Sequence, residues 1–259
     1  MIPDGVAHWS DLEREIALWR AVGEAPTFWW RDDDTQAPTP ELERLIELSE
    51  RFDAPLHLAV IPAGVSPDLA ARLRASPNVW AMQHGFQHKN HEPAGMRASE
   101  VGVSRDLGEQ RADLARGWRL LQEAELPNLL PCVVPPWNRM ADATRHALPS
   151  MGFAMLSAFE GPTGNTPVEG LVQIHSHFDP IKWKEGARFR GVEKTLAIVL
   201  QHLVDRRTGR VPKTTHTGLL THHLFTDDAT WDFVEEFCDR VAQAGAGGWM
   251  PVAPMINSN

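Results

Sequence analysis

The sequence predicts an α/β fold in which about eight short strands alternate with helices and close into a barrel. Apolar runs of β-type composition are separated by stretches with helical periodicity, a pattern typical of a parallel sheet with right-handed crossovers. Polar clusters follow at least four of the predicted strands, and a barrel brings the C-terminal ends of its strands to one face. A doubly wound open sheet gives the same alternation, but its chemistry gathers at one switch point. The barrel is therefore the first choice.

The predicted elements follow one another regularly along the chain. A helix is predicted over about 10–22, where Ser10 to Glu13 has capping-box spacing. The first strand is predicted over 27–30 and is expected to stop at Arg31, because aspartates continue a strand poorly. Further strands are predicted at 56–61, 79–83, 130–134, 153–157, 171–175, 218–222 and 249–252. Further helices are predicted from Thr39-Pro40, from Ser66-Pro67 to 75, and over 106–125, 142–150, 192–205 and 228–244.

Length and composition limit the classes of protein that fit. The 259 residues are expected to form one domain over 1–259, and the net charge of −9 leaves no large basic surface, so no nucleic-acid partner is expected. No stretch approaches the run of about 18 apolar residues that a membrane span needs, and no signal peptide is seen, so a cytoplasmic protein is expected. Two cysteines exclude a disulfide framework. The composition predicts no oligomeric state.

The first polar cluster is the run Asp32-Asp33-Asp34, directly after Arg31. Three consecutive aspartates repel one another unless a cation or an arginine offsets their charge. The run therefore indicates a metal site or a tuned acid/base pair. An Asx-rich turn leading towards Pro38 is the structural alternative.

The second cluster is the pair His84 and His88, with His91 close behind. The four-residue spacing matches the helical zinc-peptidase motif, but Gly85 and the strand-like residues before it favour a strand-end loop. Neutral imidazole is a common zinc ligand. The pair therefore predicts a metal site, with an ordinary polar loop as the alternative.

Two further clusters follow later strands. Pro135-Pro136-Trp137-Asn138 joins an apolar run to a rigid segment with a large aromatic, which alone is more typical of a structural turn. His222 and His223 end an apolar run, and since neighbours in a strand point to opposite faces, at most one of them faces the barrel mouth. A further strand-end cluster contains His175, His177 and Asp179. With it, seven of the 12 histidines lie at three strand ends. Together these clusters indicate a metal-dependent hydrolase.

In order and spacing the clusters resemble the polysaccharide deacetylases, the NodB-homology group within carbohydrate esterase family 4. The resemblance covers about 27–237 and rests on five matching segments: Asp32-Asp33, His84 to His88, Pro135 to Asn138, Asp179 to Trp183, and Leu220-Thr221-His222. It implies a distorted, TIM-like (β/α) barrel of about seven strands. It also implies a hydrolase acting on carbon–nitrogen bonds other than peptide bonds, with a carbohydrate bearing an N-acetyl or O-acetyl group as its substrate.

The resemblance also implies roles for individual residues. Asp33, His84 and His88 would hold a divalent metal ion, most simply Zn2+, whose bound water is the nucleophile. Asp32 would be the general base and His222 the general acid, with Asp179 orienting His222. A backbone N–H near Trp137 or Asn138 would stabilise the oxyanion.

The sequence departs from the family pattern at several positions. The arginine before the Pro-Pro pair is Val134 here, so Arg31 or Arg139 would have to replace it, and the Gly after the Asp pair is Asp34. Five residues are auxiliary or alternative candidates: Arg31, Arg139, His91, Trp183, and His223 as a replacement for His222. Two other functions stay open, namely a barrel hydrolase acting on a different amide and a carbohydrate-binding descendant that has lost turnover.

Overall fold

A computed structural model of the chain describes residues 6–159 and 167–258. Its main feature is a sheet of seven parallel strands in the order β6-β5-β4-β3-β2-β1-β9. The strands are β1 Phe28–Thr35, β2 Leu56–Val60, β3 Val79–His84, β4 Leu129–Val134, β5 Met155–Leu156, β6 Val172–Gln173 and β9 Thr217–Thr221; β7 Ile181–Lys182 and β8 Arg188–Phe189 form a separate antiparallel pair. The helices are α1 Trp9–Ala21, α2 Pro40–Arg51, α3 Pro67–Leu73, α4 Leu107–Glu123, α5 Asp142–Ala147, α6 Val192–Arg207 and α7 Asp228–Gln243.

The alternation of parallel strands and helices confirms the predicted fold class, a distorted (β/α) barrel of about seven strands. No helix among residues 6–159 and 167–258 is long and apolar enough to cross a membrane.

The chain divides into two compact units. The first comprises residues 1–31, 44–56 and 176–251, and the second comprises 32–43, 57–175 and 252–259. Strand β1 contributes its first half to one unit and its second half to the other. The expectation of a single domain over 1–259 stays a prediction.

The second unit contains the run of strands from β2 to β6 and the helices α3, α4 and α5. Its core packs residues of α4, β4 and β5 together with residues of the neighbouring loops; the buried members are Val101, Leu114, Val133, Leu148, Phe153, Leu156 and Leu171. In the pairing of β3 with β4, His84 lies opposite Val134. The end of β3 is therefore fixed against the end of β4.

The first unit contains α1, α6, α7, β9 and the hairpin of β7 and β8. Its core is aromatic, with Phe237 packed edge-on against Phe28 and Phe178. The N-terminal helix lies against α6, where Glu15 forms an ion pair with Arg207 at 2.6 Å. Trp30 Nε1 donates to Thr221 Oγ1 at 2.9 Å, which fixes β1 beside β9.

Two strand predictions were wrong. Strand β1 does not stop at Arg31 but continues through the three aspartates to Thr35, whose carbonyl accepts from the Ile61 N–H at 2.9 Å. Backbone pairing with a neighbouring strand extends a strand whatever its side chains are. The expected strand at 249–252 is a single bridge between Phe28 and Trp249, because Pro251 lacks the N–H that would continue a ladder.

Candidate metal centre

One carboxylate and two imidazoles converge in the second unit. The Oδ1 atom of Asp34 lies 3.2 Å from Nε2 of His84 and 3.3 Å from Nε2 of His88. One ligand-type atom from each of the three residues falls within 4.8 Å of the others. The side chain of His84 is 2% exposed and that of His88 is 26% exposed, so the cluster opens to solvent on the side of His88.

The backbone at this cluster adopts a conformation that is uncommon for residues other than glycine. Asp34 at the end of β1 has φ 75°, and His88 in the loop after β3 has φ 56°. Trp137 and Asn138, which follow β4, have φ 55° and 57°. These four are half of the eight non-glycine residues with positive φ in the described part of the chain. Left-handed backbone of this kind costs energy and concentrates at functional sites.

A main-chain carbonyl sets the tautomer of His84. Its Nδ1 lies 2.9 Å from the carbonyl oxygen of Val134, which can only accept a hydrogen bond. In the neutral ring the proton is therefore on Nδ1, and the lone pair of Nε2 faces Asp34. A carbonyl behind a histidine in this way is the usual support for a metal ligand.

The local charges move the pKa values of the two histidines in opposite directions. Burial alone lowers the pKa of His84, but the hydrogen bond to Asp34 and the charges of Asp33 and Asp34 outweigh it, so the pKa of His84 is raised. Burial and the charge of His84 lower the pKa of His88. The ring of His88 also packs against the indole of Trp137, with 4.3 Å between centroids and the two planes tilted by 51°. Burial and the charge of His84 thus favour the neutral form of His88, the form that binds metal.

The donor set fits a divalent metal ion. Two imidazole nitrogens and one carboxylate oxygen are the ligand types of catalytic zinc sites, which leave a position open for water or substrate. Asp34, His84 and His88 supply these types, and the Val134 carbonyl supplies the outer support. The geometry therefore identifies a candidate metal centre.

The carboxylate in this trio is that of Asp34, one residue beyond the predicted ligand Asp33. Asp32 and Asp33 are both buried, at 0% and 1% exposure, and the charge of Asp33 acts on His84. The predicted roles of Asp32 as base and Asp33 as ligand stay predictions. Sequence reasoning did not assign Asp34 a role; the signal that could have found it is the third aspartate of the run, at a position where the family has glycine.

The segment after β4 contains the residues predicted to stabilise an oxyanion. Pro136–Asn138 forms a short 3₁₀ helix, and the Asn138 N–H donates to the carbonyl of Pro135 at 2.8 Å. The Asn138 N–H is therefore already engaged in a main-chain hydrogen bond. Arg139, the predicted substitute for the family's arginine, donates from Nη1 to the carbonyl of Ala98 at 2.8 Å.

The remaining residues that the sequence singled out, His91, Arg31 and Val134, are not part of the group of three ligand-type side chains. The main-chain N–H of His91 donates to the carbonyl of Ser99 at 3.0 Å, and His91 is not part of the Asp34, His84 and His88 group within residues 6–159. Arg31 is fully buried in the first half of β1, and Val134 is fully buried at the end of β4. Their predicted roles are not decided by these positions.

The predicted general acid lies in the first unit, where it has a carboxylate and an indole as neighbours. His222 Nδ1 lies 3.8 Å from Asp179 Oδ2, which is too long for a hydrogen bond, and the His222 ring packs edge-on against Trp183 at 4.6 Å. Trp183 Nε1 donates to the same Asp179 oxygen at 2.8 Å. Burial raises the pKa of Asp179, although the His222 charge and this hydrogen bond oppose the rise. His223 is buried, at 1% exposure, and begins a short 3₁₀ helix.

Comparison with known proteins identifies the fold. No family model and no curated protein sequence matches the chain. A polysaccharide deacetylase candidate from Mycobacterium smegmatis superposes with a TM-score of 0.62 at 14% identity, covering 100% of this chain and 92% of that one.

Two other solved structures are similar to the chain. A family 4 acetyl xylan esterase from Clostridium thermocellum, in complex with a cobalt ion, gives a TM-score of 0.53 at 11% identity over 90% of this chain and 91% of that chain. A pseudoenzyme of family 4 from Bacillus anthracis gives 0.54 at 14% identity over 86% and 62%. At these identities the likeness concerns the fold. The chain therefore has the NodB-homology fold of the polysaccharide deacetylases and family 4 carbohydrate esterases.

Proposed function

We propose that this protein is a metal-dependent hydrolase that removes an acetyl group from a carbohydrate, with Asp34, His84 and His88 as the metal ligands. The observation that carries the proposal is the convergence of one carboxylate oxygen and two imidazole nitrogens within 4.8 Å, in a chain with this fold. We propose zinc as the ion, because histidine nitrogen and carboxylate oxygen are ligands that zinc accepts readily.

A bound divalent ion would polarise the acetyl carbonyl and lower the pKa of a coordinated water towards about 7. The side chains that accompany it would have to accept and return protons. A buried carboxylate of β1 is proposed to accept the proton from the attacking water. The family resemblance assigns this role to Asp32. Asp33 is the second candidate, because its charge acts directly on His84.

The other roles follow the resemblance and the neighbours of each residue. We assign the protonation of the leaving amine to His222, which Asp179 and Trp183 surround. The Trp137 N–H is proposed to donate to the oxyanion, because the Asn138 N–H already donates to Pro135. An N-acetyl group is the proposed substrate bond and an O-acetyl ester the alternative.

Three single substitutions along β1 test the assignment of the carboxylates. Asp34→Asn, Asp33→Asn and Asp32→Asn each remove one charge with little change in volume, and asparagine tolerates the positive φ of position 34. The metal content of each purified variant is measured by elemental analysis, and acetate release is measured on a panel of N-acetylated and O-acetylated sugars. The same panel with other amides decides between a deacetylase and a different amidohydrolase.

The proposal predicts that Asp34→Asn loses the metal and that Asp32→Asn keeps the metal but loses turnover. Asp33→Asn is expected to keep the metal, and a loss of turnover in this variant alone would transfer the role of base to Asp33. Retention of metal in Asp34→Asn together with its loss in Asp33→Asn would return the ligand role to Asp33. A wild type without metal and without acetate release would contradict the proposed function.

A carbohydrate-binding protein without turnover is the second candidate. The observation that favours it is Val134, which stands where the family has an arginine beside the base, and a structural neighbour is itself a pseudoenzyme. Binding of acetylated oligosaccharides by wild type, with no acetate released, would support this candidate. Val134→Arg is the matching gain-of-function test, although the buried position makes a loss of stability its expected side effect.

A further inference from the structure

Glu100 is a buried carboxylate that no sequence motif contains. It is 1% exposed, and its two oxygens accept hydrogen bonds from three main-chain N–H groups of the loop after β3. Oε2 accepts from the Phe86 N–H at 2.9 Å, while Oε1 accepts from the Gln87 N–H at 2.7 Å and the Lys89 N–H at 3.4 Å. One carboxylate thus accepts from main-chain N–H groups on both sides of His88.

These hydrogen bonds determine the path of the loop. Gly85 has φ 53° and His88 has φ 56°, and successive N–H groups in such a turn form a concave site for an anion. The anion here is the side chain of Glu100, so close to the backbone that a Cβ on Gly85 would lie 2.0 Å from Oε2. The turn returns the chain so that the rings of His84 and His88 lie 5.2 Å apart between centroids.

The residues on either side of Glu100 are fixed to the segment that follows Trp137. Ser99 Oγ donates to the carbonyl of Arg139 at 3.0 Å. Val101 forms a parallel bridge with Met140, and its carbonyl accepts from the Ala141 N–H at 2.8 Å. Both neighbours of Glu100 in the chain are therefore fixed to residues 139–141, which fixes the position of its carboxylate.

We propose that Glu100 is a positioning residue that fixes the loop carrying His88 against the segment following Trp137, and so preorganises the metal ligands. The inference rests on the proposed function, since it concerns the same metal centre. Glu100 itself supplies no ligand; it acts through the main chain of residues 86, 87 and 89. Outer-shell groups that orient ligands typically change metal affinity by about 10–100-fold.

The test compares Glu100→Gln with Glu92→Gln as a matched control. Glu92 is the other buried carboxylate of the same loop, at 8% exposure, but it accepts from the main chain and hydroxyl of Ser104, away from residues 84–89. In Glu100→Gln the amide NH2 replaces an acceptor and faces a main-chain N–H, so at least one of the three bonds is lost. The probe is Co2+, with affinity measured by titration calorimetry and ligand geometry by the visible absorption spectrum.

Glu100→Gln is expected to bind Co2+ about 10–100-fold more weakly than wild type and with an altered spectrum, while Glu92→Gln stays within about threefold. Unchanged affinity and spectrum in Glu100→Gln would overturn the inference, as would an equal loss in Glu92→Gln. Should Glu100→Gln not fold, Glu100→Asp keeps the charge but shortens the reach. Wild-type affinity and spectrum in that variant would overturn the inference too.

Amide hydrogen exchange distinguishes failure of this inference from failure of the proposed function. A wild type that binds no Co2+ contradicts the proposed metal centre, yet the exchange rates of the Phe86 and Gln87 amides still report on the loop. Faster exchange at these amides in Glu100→Gln, but not in Glu92→Gln, would support the positioning role. Equal exchange in both variants would overturn it.

Discussion

Two regions of the molecule place histidines beside buried polar groups. The two regions differ in the main-chain group that Nδ1 of the histidine contacts. At the candidate metal centre, Nδ1 of His84 meets the Val134 carbonyl, so the lone pair of Nε2 is directed at Asp34. In the first unit, His177 Nδ1 accepts from the Gly218 N–H at 2.8 Å, and its ring stacks on His202 at 3.7 Å. Neutral His177 therefore carries its proton on Nε2. An imidazole whose lone pair already accepts a main-chain N–H serves the fold, whereas one whose N–H is bound to a carbonyl can bind a metal.

His175 belongs with the structural group by the same criterion. Its Nδ1 accepts from the Ala158 N–H at 3.0 Å. The sequence places His175, His177, His84 and His88 in comparable strand-end positions. The direction of the main-chain hydrogen bond distinguishes His84 from His175 and His177, and that direction depends on the register of neighbouring strands.

The largest expected effect is the loss of metal affinity on alanine substitution at the metal centre, compared with alanine substitution of a structural histidine. His84→Ala removes a proposed ligand and is expected to weaken Co2+ binding by about 1,000-fold, or about 4 kcal/mol. His177→Ala removes the acceptor of the Gly218 N–H, so it is expected to lower the free energy of unfolding by about 1–3 kcal/mol and leave metal affinity within about threefold. Calorimetric titration and urea unfolding measure the two quantities. A loss of metal in His177→Ala equal to that in His84→Ala would remove the distinction.

A smaller effect is expected from removal of the metal. An ion present at about 100 times its Kd stabilises the native state by about 2.7 kcal/mol, so a chelator is expected to lower the unfolding free energy of wild type by that amount. His177→Ala is expected to show the same difference with and without chelator, and His84→Ala none. An equal response of His84→Ala and wild type to the chelator would place the bound ion elsewhere.

The pH dependence of the unfolding free energy tests the structural histidines, through His202, which stacks on His177. Burial, together with the charges of His177 and Arg206, lowers the pKa of His202 from 6.5 to about 2. Below pH 6.5 the unfolded chain binds a proton at this position that the native state does not bind. The contribution of His202 to stability is therefore complete above pH 6.5 and is lost as the pH falls from 6.5 towards 2, by at most about 1.4 kcal/mol per pH unit.

His202→Gln removes the titrating group, while its amide can still meet Thr217 Oγ1, which lies 2.9 Å from His202 Nδ1. Urea unfolding between pH 7 and 5, with chelator present, is expected to give a shallower decline for this variant than for wild type. Parallel curves would show that the pKa of His202 is not lowered in the folded protein.

Much of the fold could be predicted because burial imposes a period on the sequence. The helices α4, α6 and α7 lie within two residues of their predicted ends, since each has an apolar stripe, and α4 and α7 also follow an aspartate N-cap. The hairpin of β7 and β8 was not predicted, because its two-residue strands lie in no apolar run, unlike the equally short β5 and β6. The continuation of β1 through Asp34 was missed for a different reason: pairing with neighbouring strands outweighs the local preferences of aspartate.

The candidate site shows the same limit more sharply. His84, His88 and the run of aspartates stand out in the sequence because clustered carboxylates and imidazoles need a reason to be together. Asp34, the aspartate that lies beside the two imidazoles, also has a left-handed φ of 75°, a local conformation that the sequence does not reveal. Glu100 accepts hydrogen bonds from main-chain N–H groups that are 11 to 14 residues away in sequence. Because such bonds do not depend on the side chains of the donors, no residue pattern predicts them.

The indole of Trp137, which packs against the ring of His88, gives the centre an intrinsic optical reporter. With 10 tryptophans and no tyrosine, the ultraviolet emission of the chain comes from indoles alone. Paramagnetic Co2+ at the neighbouring imidazole would quench the nearest of these indoles most strongly, and the quenched component would be missing in Trp137→Phe. Occupancy could thus be followed by fluorescence in unlabelled protein, without a substrate and without knowing which sugar the protein accepts.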